Sequence, residues 1–174
     1  MEAHGQASGY STAHHAAAGL PEVTVAEQLQ DLVLDSTDVS DFLLELSEYS
    51  ALLAGTGVGH VDCAVTLYGR RKALTGAGNT ARARSLNSIQ ERLGTGPCLS
   101  ALQEEQTVVI NDLANDPRWP DYARALLAEN IRSVLTVPLV LEQGASASLN
   151  FFSTTPHNFH AGIVRSAEQY ARQA

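Results

Sequence analysis

From Asp62 to Tyr68 the side chains follow the two-residue period of an extended strand, with Cys63, Val65 and Leu67 on one face and Ala64, Thr66 and Tyr68 on the other. Ser133 to Leu141 and Ser146 to Phe152 read as two further strands, and Thr107 to Ile110 as a short strand of β-branched residues. Gly69-Arg70 is a turn, and Arg71 to Ala77 is the antiparallel return strand that such a turn calls for. Helical segments lie between and around these strands. Val23 to Leu34 carries Val25, Leu29, Leu32 and Val33 on one stripe, and Val39 to Ala54 carries Val39, Phe42, Leu46, Tyr49 and Leu53 at alternating steps of three and four. Asn79 to Arg92 is a polar helix with Ala81, Leu86 and Ile89 as its apolar contacts. Pro97 opens a short helix through Leu102, Asp121 to Glu129 forms another, and the last helix starts near Ala161. This order predicts an α/β (α+β) fold, a mainly antiparallel sheet with helices on both faces.

The bulk properties narrow the function classes. A chain of 174 residues that is 44% hydrophobic suits one soluble domain with a real core. A net charge of −8 lacks the basic face that releases counterions from a duplex, so no direct nucleic-acid binding is expected. No apolar run reaches the roughly 18 residues of a membrane span. Residues 1–22 are expected to be a disordered leader, since Met1 to Gly19 has neither the basic start nor the apolar run of a signal peptide. Residues 23–174 are then a single domain with an N-terminal helical extension. The two cysteines, Cys63 and Cys98, fit no metal spacing and read as free thiols of a cytoplasmic protein. Gly55-Thr56-Gly57-Val58-Gly59 has the composition of a dinucleotide-binding loop but follows a helix and precedes a strand, the reverse of the required order. It is a helix stop.

Four segments read together carry a resemblance. They are Leu93-Gly94-Thr95-Gly96-Pro97-Cys98-Leu99-Ser100-Ala101, Asn111-Asp112-Leu113-Ala114-Asn115-Asp116-Pro117-Arg118-Trp119-Pro120, Ile131-Arg132-Ser133-Val134-Leu135-Thr136-Val137-Pro138-Leu139, and Leu149-Asn150-Phe151-Phe152-Ser153. In this order and spacing, from about Val39 onward, the chain resembles GAF domains, in particular those of actinobacterial transcription antitermination regulators that carry a C-terminal ANTAR module. The resemblance implies a GAF/PAS-like central antiparallel sheet of five or six strands. It places the first and last helices on one face, and residues 79–129 closing a pocket on the other. It also implies a regulatory role in sensing a small molecule or a partner. Two departures stand out. Glu142-Gln143-Gly144-Ala145-Ser146-Ala147 replaces the usual glycine-flanked hairpin, and the residue pattern of the cyclic-nucleotide-binding members is absent. No segment of this chain reads as an ANTAR module.

The candidate ligand-binding residues are Tyr122, Trp119, Thr66, Thr136 and Asn150. Thr66, Thr136, Ser148 and Asn150 interrupt otherwise apolar strands, and a buried polar side chain needs a partner, which is either a neighbouring element or a ligand. Tyr122 and Trp119 are either aromatic pocket walls or, for Trp119, a plug that anchors its loop to the sheet. Cys98, near a helix start, reads as a structural thiol in preference to a reactive one. Arg70, Arg71, Arg82 and Arg84 read as solvated charge in preference to an anion site. No catalytic set, metal motif or phosphate loop is evident, so the chain is expected not to be an enzyme; no metal is expected and a cofactor stays unknown. A thiol-dependent reductase of the same fold would use three cysteines. The expected partners are an unidentified small-molecule ligand and a second copy of the chain. Ile163, Ala167, Tyr170 and Ala174 recur at coiled-coil steps, so a homodimer through the Val39–Leu53 and Ala161–Ala174 helices is expected, against the alternatives of a monomer or of a dimerisation scaffold with an empty pocket.

Overall fold

The computed structural model describes residues 60–69, 72–140 and 145–173, together with Leu44, Ser47 and Ala51, which are helical. The leader, the Val23–Leu34 helix, the glycine stretch at 55–59 and the turn within 141–144 lie outside the described residues. Five strands, β1 (Val61–Gly69), β2 (Lys72–Gly78), β3 (Val108–Ile110), β4 (Ser133–Val140) and β5 (Ala145–Ser153), form one sheet in the order β2-β1-β5-β4-β3. Every neighbouring pair is antiparallel. The helices are α1 (Ala81–Leu93), α2 (Pro97–Glu104), α3 (Pro120–Ala128) and α4 (Ala161–Gln173).

The two-residue period assigns each strand two covers. Cys63, Val65 and Leu67 of β1, Leu135, Val137 and Leu139 of β4, and Ala147, Leu149 and Phe151 of β5 pack with Phe159, Ile163 and Ala167 leading into and along α4, and with Ala51. Leu44 packs against the same group, so the described part of the N-terminal helix shares this face with α4. On the opposite face Ala64, Val134, Ile110 and Phe152 meet Ala83, Leu86 and Ile89 of α1 and Tyr122, Ala123 and Leu126 of α3. Ile163 and Ala167, two of the residues expected at a dimer seam, are therefore buried within the chain's own core.

Local chemistry fixes how the second cover is attached. Asn79 stands in for a strand residue where β2 ends: its backbone N–H donates to Cys63 O at 3.0 Å, and its side-chain oxygen accepts from Cys63 N at 2.9 Å. Thr80 then caps α1, its hydroxyl accepting from Ala83 N and donating to the buried Asp62 carboxylate at 2.7 Å. Arg82 bridges Asp62 at 3.2 Å to the backbone oxygen of Glu129 at the end of α3. One carboxylate thus holds β1, α1 and α3 together. The cap also corrects one expectation. Ala81 is the first residue of α1 and exposed, while Ala83, three residues before Leu86 and so on its stripe, is fully buried.

The position of Ile163 yields a stability prediction. Ile163→Ala should lower the unfolding free energy by about 2–3 kcal/mol, the lower part of the range for truncating a core isoleucine. Denaturant melts should give the same deficit at every protein concentration. A deficit that changes with concentration would put Ile163 at a contact between chains instead.

Candidate functional site

Beneath α1 and α2 the middle of the sheet is polar. Thr66 and Tyr68 of β1, Thr136 of β4, Ser148 and Asn150 of β5, Asn87 and Gln90 of α1 and Cys98 of α2 are all buried. Register explains the convergence. Asn150 lies between Ala64 on one neighbouring strand and Thr136 on the other, and Ser148 lies between Thr66 and Pro138. Small Ala64 leaves room above β1 for the Asn150 side chain to reach the helix.

Hydrogen bonds join the group. Thr136 Oγ1 donates to Asn150 Oδ1 at 2.8 Å. Asn150 Nδ2 donates to Asn87 Oδ1 at 2.9 Å and to Ser148 Oγ at 3.1 Å. Asn87 Nδ2 donates to Thr66 Oγ1 at 2.6 Å. The Ser148 hydroxyl and the Tyr68 hydroxyl lie 2.9 and 3.1 Å from Cys98 Sγ. Because Ser148 Oγ already accepts from Asn150, its own proton is available to the sulfur. Gln90 Oε1 accepts from Cys98 N at 3.1 Å and so fixes the start of α2 to α1. Gly96 makes that approach feasible: with φ +153°, it is where a Cβ would lie 2.6 Å from Gln90 Oε1.

The cluster is uncharged. Burial raises the pKa of the Cys98 thiol, and hydrogen bonds from Ser148 and Tyr68 only partly oppose it. Burial first, and Cys98 second, likewise push up the Tyr68 and Tyr122 hydroxyls. Cys98 therefore sits as a neutral thiol, despite its place in the first turn of α2. Cys63 lies in the core on the opposite face of the sheet, so the two free cysteines cannot pair.

The structure brings Thr66, Thr136 and Asn150 into one hydrogen-bonded group. Tyr122 lies beside it, fully buried in the apolar cluster with Leu86, Val134 and Phe152. Trp119 is half-buried at the outer side of that cluster, where the Arg118 guanidinium lies 4.9 Å from its ring centroid; it does not join the polar group. Asn87 and Gln90 were missed by the sequence reading, although they fall on the buried stripe of α1 with Ala83 and Leu86. Arg82 and Arg84 are tied to Asp62, Glu129 O and Gly78 O; Arg70 and Arg71 lie outside the described residues. A separate cleft of about 460 Å³ opens beside the end of β3, lined by Asn111, Asp112, Asp116, Arg118 and His157 among others. Its carboxylates are already engaged: Asp116 by Arg118, and Asp112 by Asn115, Arg132 and the backbone of Ala114. Among the described residues no three His, Cys, Asp or Glu side chains gather as metal ligands.

The model of a family described as "GAF domain" matches residues 24–174. No curated protein matches the chain in sequence. Among solved structures, the chain is similar to the GAF domain region of a membrane protein from Geobacter sulfurreducens PCA, at 14% identity and a TM-score of 0.53, covering 84% of this chain and 97% of that one. It is similar to fRMsr of Staphylococcus aureus in its reduced form, at 16% identity and a TM-score of 0.54, covering 86% and 92%. It is also similar to the N-acylhomoserine lactone-dependent LuxR family transcription factor CepR2 from Burkholderia cenocepacia, at 15% identity and a TM-score of 0.56, covering 85% and 88%. At identities this low the likeness is one of fold alone.

A prediction about the thiols follows from their burial. In the folded protein at pH 8, Ellman's reagent should titrate neither Cys63 nor Cys98 within minutes, and both should react after unfolding in guanidinium. Fast reaction of one thiol in the native state, lost in Cys98→Ser, would show a thiolate that the geometry does not support.

Proposed function

Because the chain belongs to the GAF domain family, we propose that it is a regulatory sensor domain that binds a small molecule on its sheet face and catalyses no reaction. The observation that carries this reading is the uncharged polar group of Thr66, Asn87, Thr136, Ser148 and Asn150, enclosed between the sheet and α1 and α2. A core built only for stability has little use for two amides and three hydroxyls on one face, because each must be matched with a partner. A ligand site needs such groups to fix orientation inside an apolar wall, and Tyr122, Leu86 and Phe152 supply that wall. The neutral Cys98 also speaks for binding over thiol chemistry.

The output belongs to the same reading. The resemblance of four segments to those of actinobacterial regulators favours a role in transcription antitermination, with the output exerted through a separate module. A homodimer would then carry the signal through the N-terminal helix and α4; Ile163 and Ala167 serve the chain's own core, and Val164 and Ala171 pack at its edge and are half-buried, so a partner would cover what these two leave exposed. One observation favours a second reading, a dimerisation scaffold without a ligand. Asn150 uses its oxygen and both its amide protons within the chain, so that side chain is satisfied as it stands.

Native mass spectrometry of the full chain separates the two. The sensor should carry, or take up from a bacterial metabolite extract, a small molecule that Thr66→Val no longer retains. At a hundred times its dissociation constant such a ligand should raise Tm by about 5–10 °C. A bare chain in every preparation, with Tm unmoved by the extract, would leave the scaffold.

A further inference from the structure

The site on the sheet face also constrains the chemistry of what it can hold, and this step rests on the sensor reading above. We infer that its ligand is electrically neutral and carries a hydrogen-bond donor and acceptor side by side, as in an amide, a lactam or the edge of a nucleobase without its phosphate.

The charge argument comes from the residues around the site. Each strand and helix that meets there contributes uncharged polar groups: Thr66 and Tyr68 from β1, Thr136 from β4, Ser148 and Asn150 from β5, Asn87 and Gln90 from α1, and Cys98 from α2. From α3 comes Tyr122. Burial keeps the thiol and both phenols protonated. Among the described residues, the one charged side chain bonded to the group is Glu91, which is exposed and reaches Asn87 Nδ2 only at 3.5 Å. The arginines of α1 are engaged elsewhere, Arg82 on Asp62 and Glu129 O, Arg84 on Gly78 O and Arg92 on Ser88 Oγ. A carboxylate or phosphate placed among Thr66, Asn87 and Asn150 would lose its hydration and meet no cation. A cation would lose its hydration and meet no carboxylate inside. Either loss is several kcal/mol per ion before any contact is gained. A neutral amide has no such penalty once its hydrogen bonds are remade.

The hydrogen-bond argument comes from the pair at the centre. Asn150 Nδ2 donates to Asn87 Oδ1, and Asn87 Nδ2 passes on to Thr66 Oγ1. This is a contact between two primary amides from opposite walls of the site. Each amide offers one acceptor and two donors. A ligand that parts them must offer an acceptor to the Asn150 or Asn87 amide protons and a donor to Asn87 Oδ1, or it leaves buried groups unpaired. A group with donor and acceptor on adjacent atoms does both. A hydrocarbon does neither, and a carboxylate offers acceptors only.

The test uses isosteric trios that differ in charge: an amide, the matching carboxylate and the matching amidinium, with benzamide, benzoate and benzamidinium as the first of a set of such fragments. Ligand-observed NMR is run on the full chain, and on Thr66→Val and Asn150→Leu as site variants. Binding counts as belonging to the site only where a folded variant removes it. Thr66→Val deletes a single hydroxyl and keeps the comparison intact if Asn150→Leu fails to fold. The expected result is that site-specific binders are the amides, each at least about tenfold tighter than its charged partners. Site-specific binding of carboxylates or amidiniums at equal or greater strength would overturn the neutral-ligand inference and leave the sensor reading standing. Absence of any binding that the variants alter would overturn the sensor reading itself.

Discussion

The architecture depends on β5 being paired on both sides. β1 pairs with it from Ala145 to Ser153 and β4 from Ser146 to Ser153, so its two faces must be covered by different elements. Ala147, Leu149 and Phe151 face α4, and Ser148, Asn150 and Phe152 face α1, α2 and α3. The side-chain period is two, so a slip of one residue would send Asn150 into the apolar core and Phe151 into the polar group. The polar residues therefore act as register marks. Asn150 finds its two partners on other elements, Thr136 and Asn87, only when it lies opposite Ala64 and Thr136.

The polar group is expensive to bury and the surrounding structure is arranged to tolerate it. Each hydrogen bond within it adds a modest net stability of about 1 kcal/mol, whereas a buried group left unpaired costs about 1–3 kcal/mol. The balance is favourable only if the set is complete. Completeness requires the roof as well as the sheet, because Asn87 and Gln90 arrive on α1 and Cys98 on α2. The Asp62 carboxylate and the Thr80 cap set the start of α1, Gly94 ends it in a left-handed turn with φ +67°, and Gly96 lets α2 drop onto Gln90. The polar centre and the glycine turn are thus one arrangement: without Gly96, the Gln90 amide and the Cys98 backbone could not meet.

Much of the floor was legible in the sequence and little of the roof. Alternation along β1, β4 and β5 put Thr66, Thr136, Ser148 and Asn150 on the face away from Leu67, Val137 and Leu149, and the structure has them there. Alternation identifies the face of a residue but not what covers it. The stripe of α1 mixes Ala83 and Leu86 with Asn87 and Gln90, so an apolar count sees a weak helix where the structure has a fully employed one. Ala81 stands five residues before Leu86 and so on the other side of the helix, whereas Ala83, three residues before it, shares its stripe; two positions separate an exposed alanine from a buried one. Tyr122 and Trp119 share a segment of sequence, yet Pro120 starts α3 between them. Tyr122 turns inward and Trp119 stays at its rim beside Arg118. Dimer spacing along α4 was ambiguous for a similar reason: the same steps that build a seam between chains build a stripe against a sheet, and Ile163 and Ala167 serve the latter.

The two covers are coupled through the thickness of a single sheet. Asn150 and its neighbours Leu149 and Phe151 share a strand whose backbone is held on both sides, so their Cα positions move together. Phe151 in turn packs beside Phe159, with ring centroids 6.3 Å apart, in the core that holds Ile163 and Ala167. In the sensor reading, parting the Asn87–Asn150 amides need not bend the sheet to be felt on the far side. A fraction of an ångström at Asn150 is passed to Phe151 by the chain itself, and a close-packed interior transmits such a shift where a loose one would absorb it. The element that receives it is α4. A ligand would bias this path only to the extent that it prefers one arrangement of the amides over the other. In the sensor reading the amide pair that would select the ligand is therefore also the element whose rearrangement would signal its arrival.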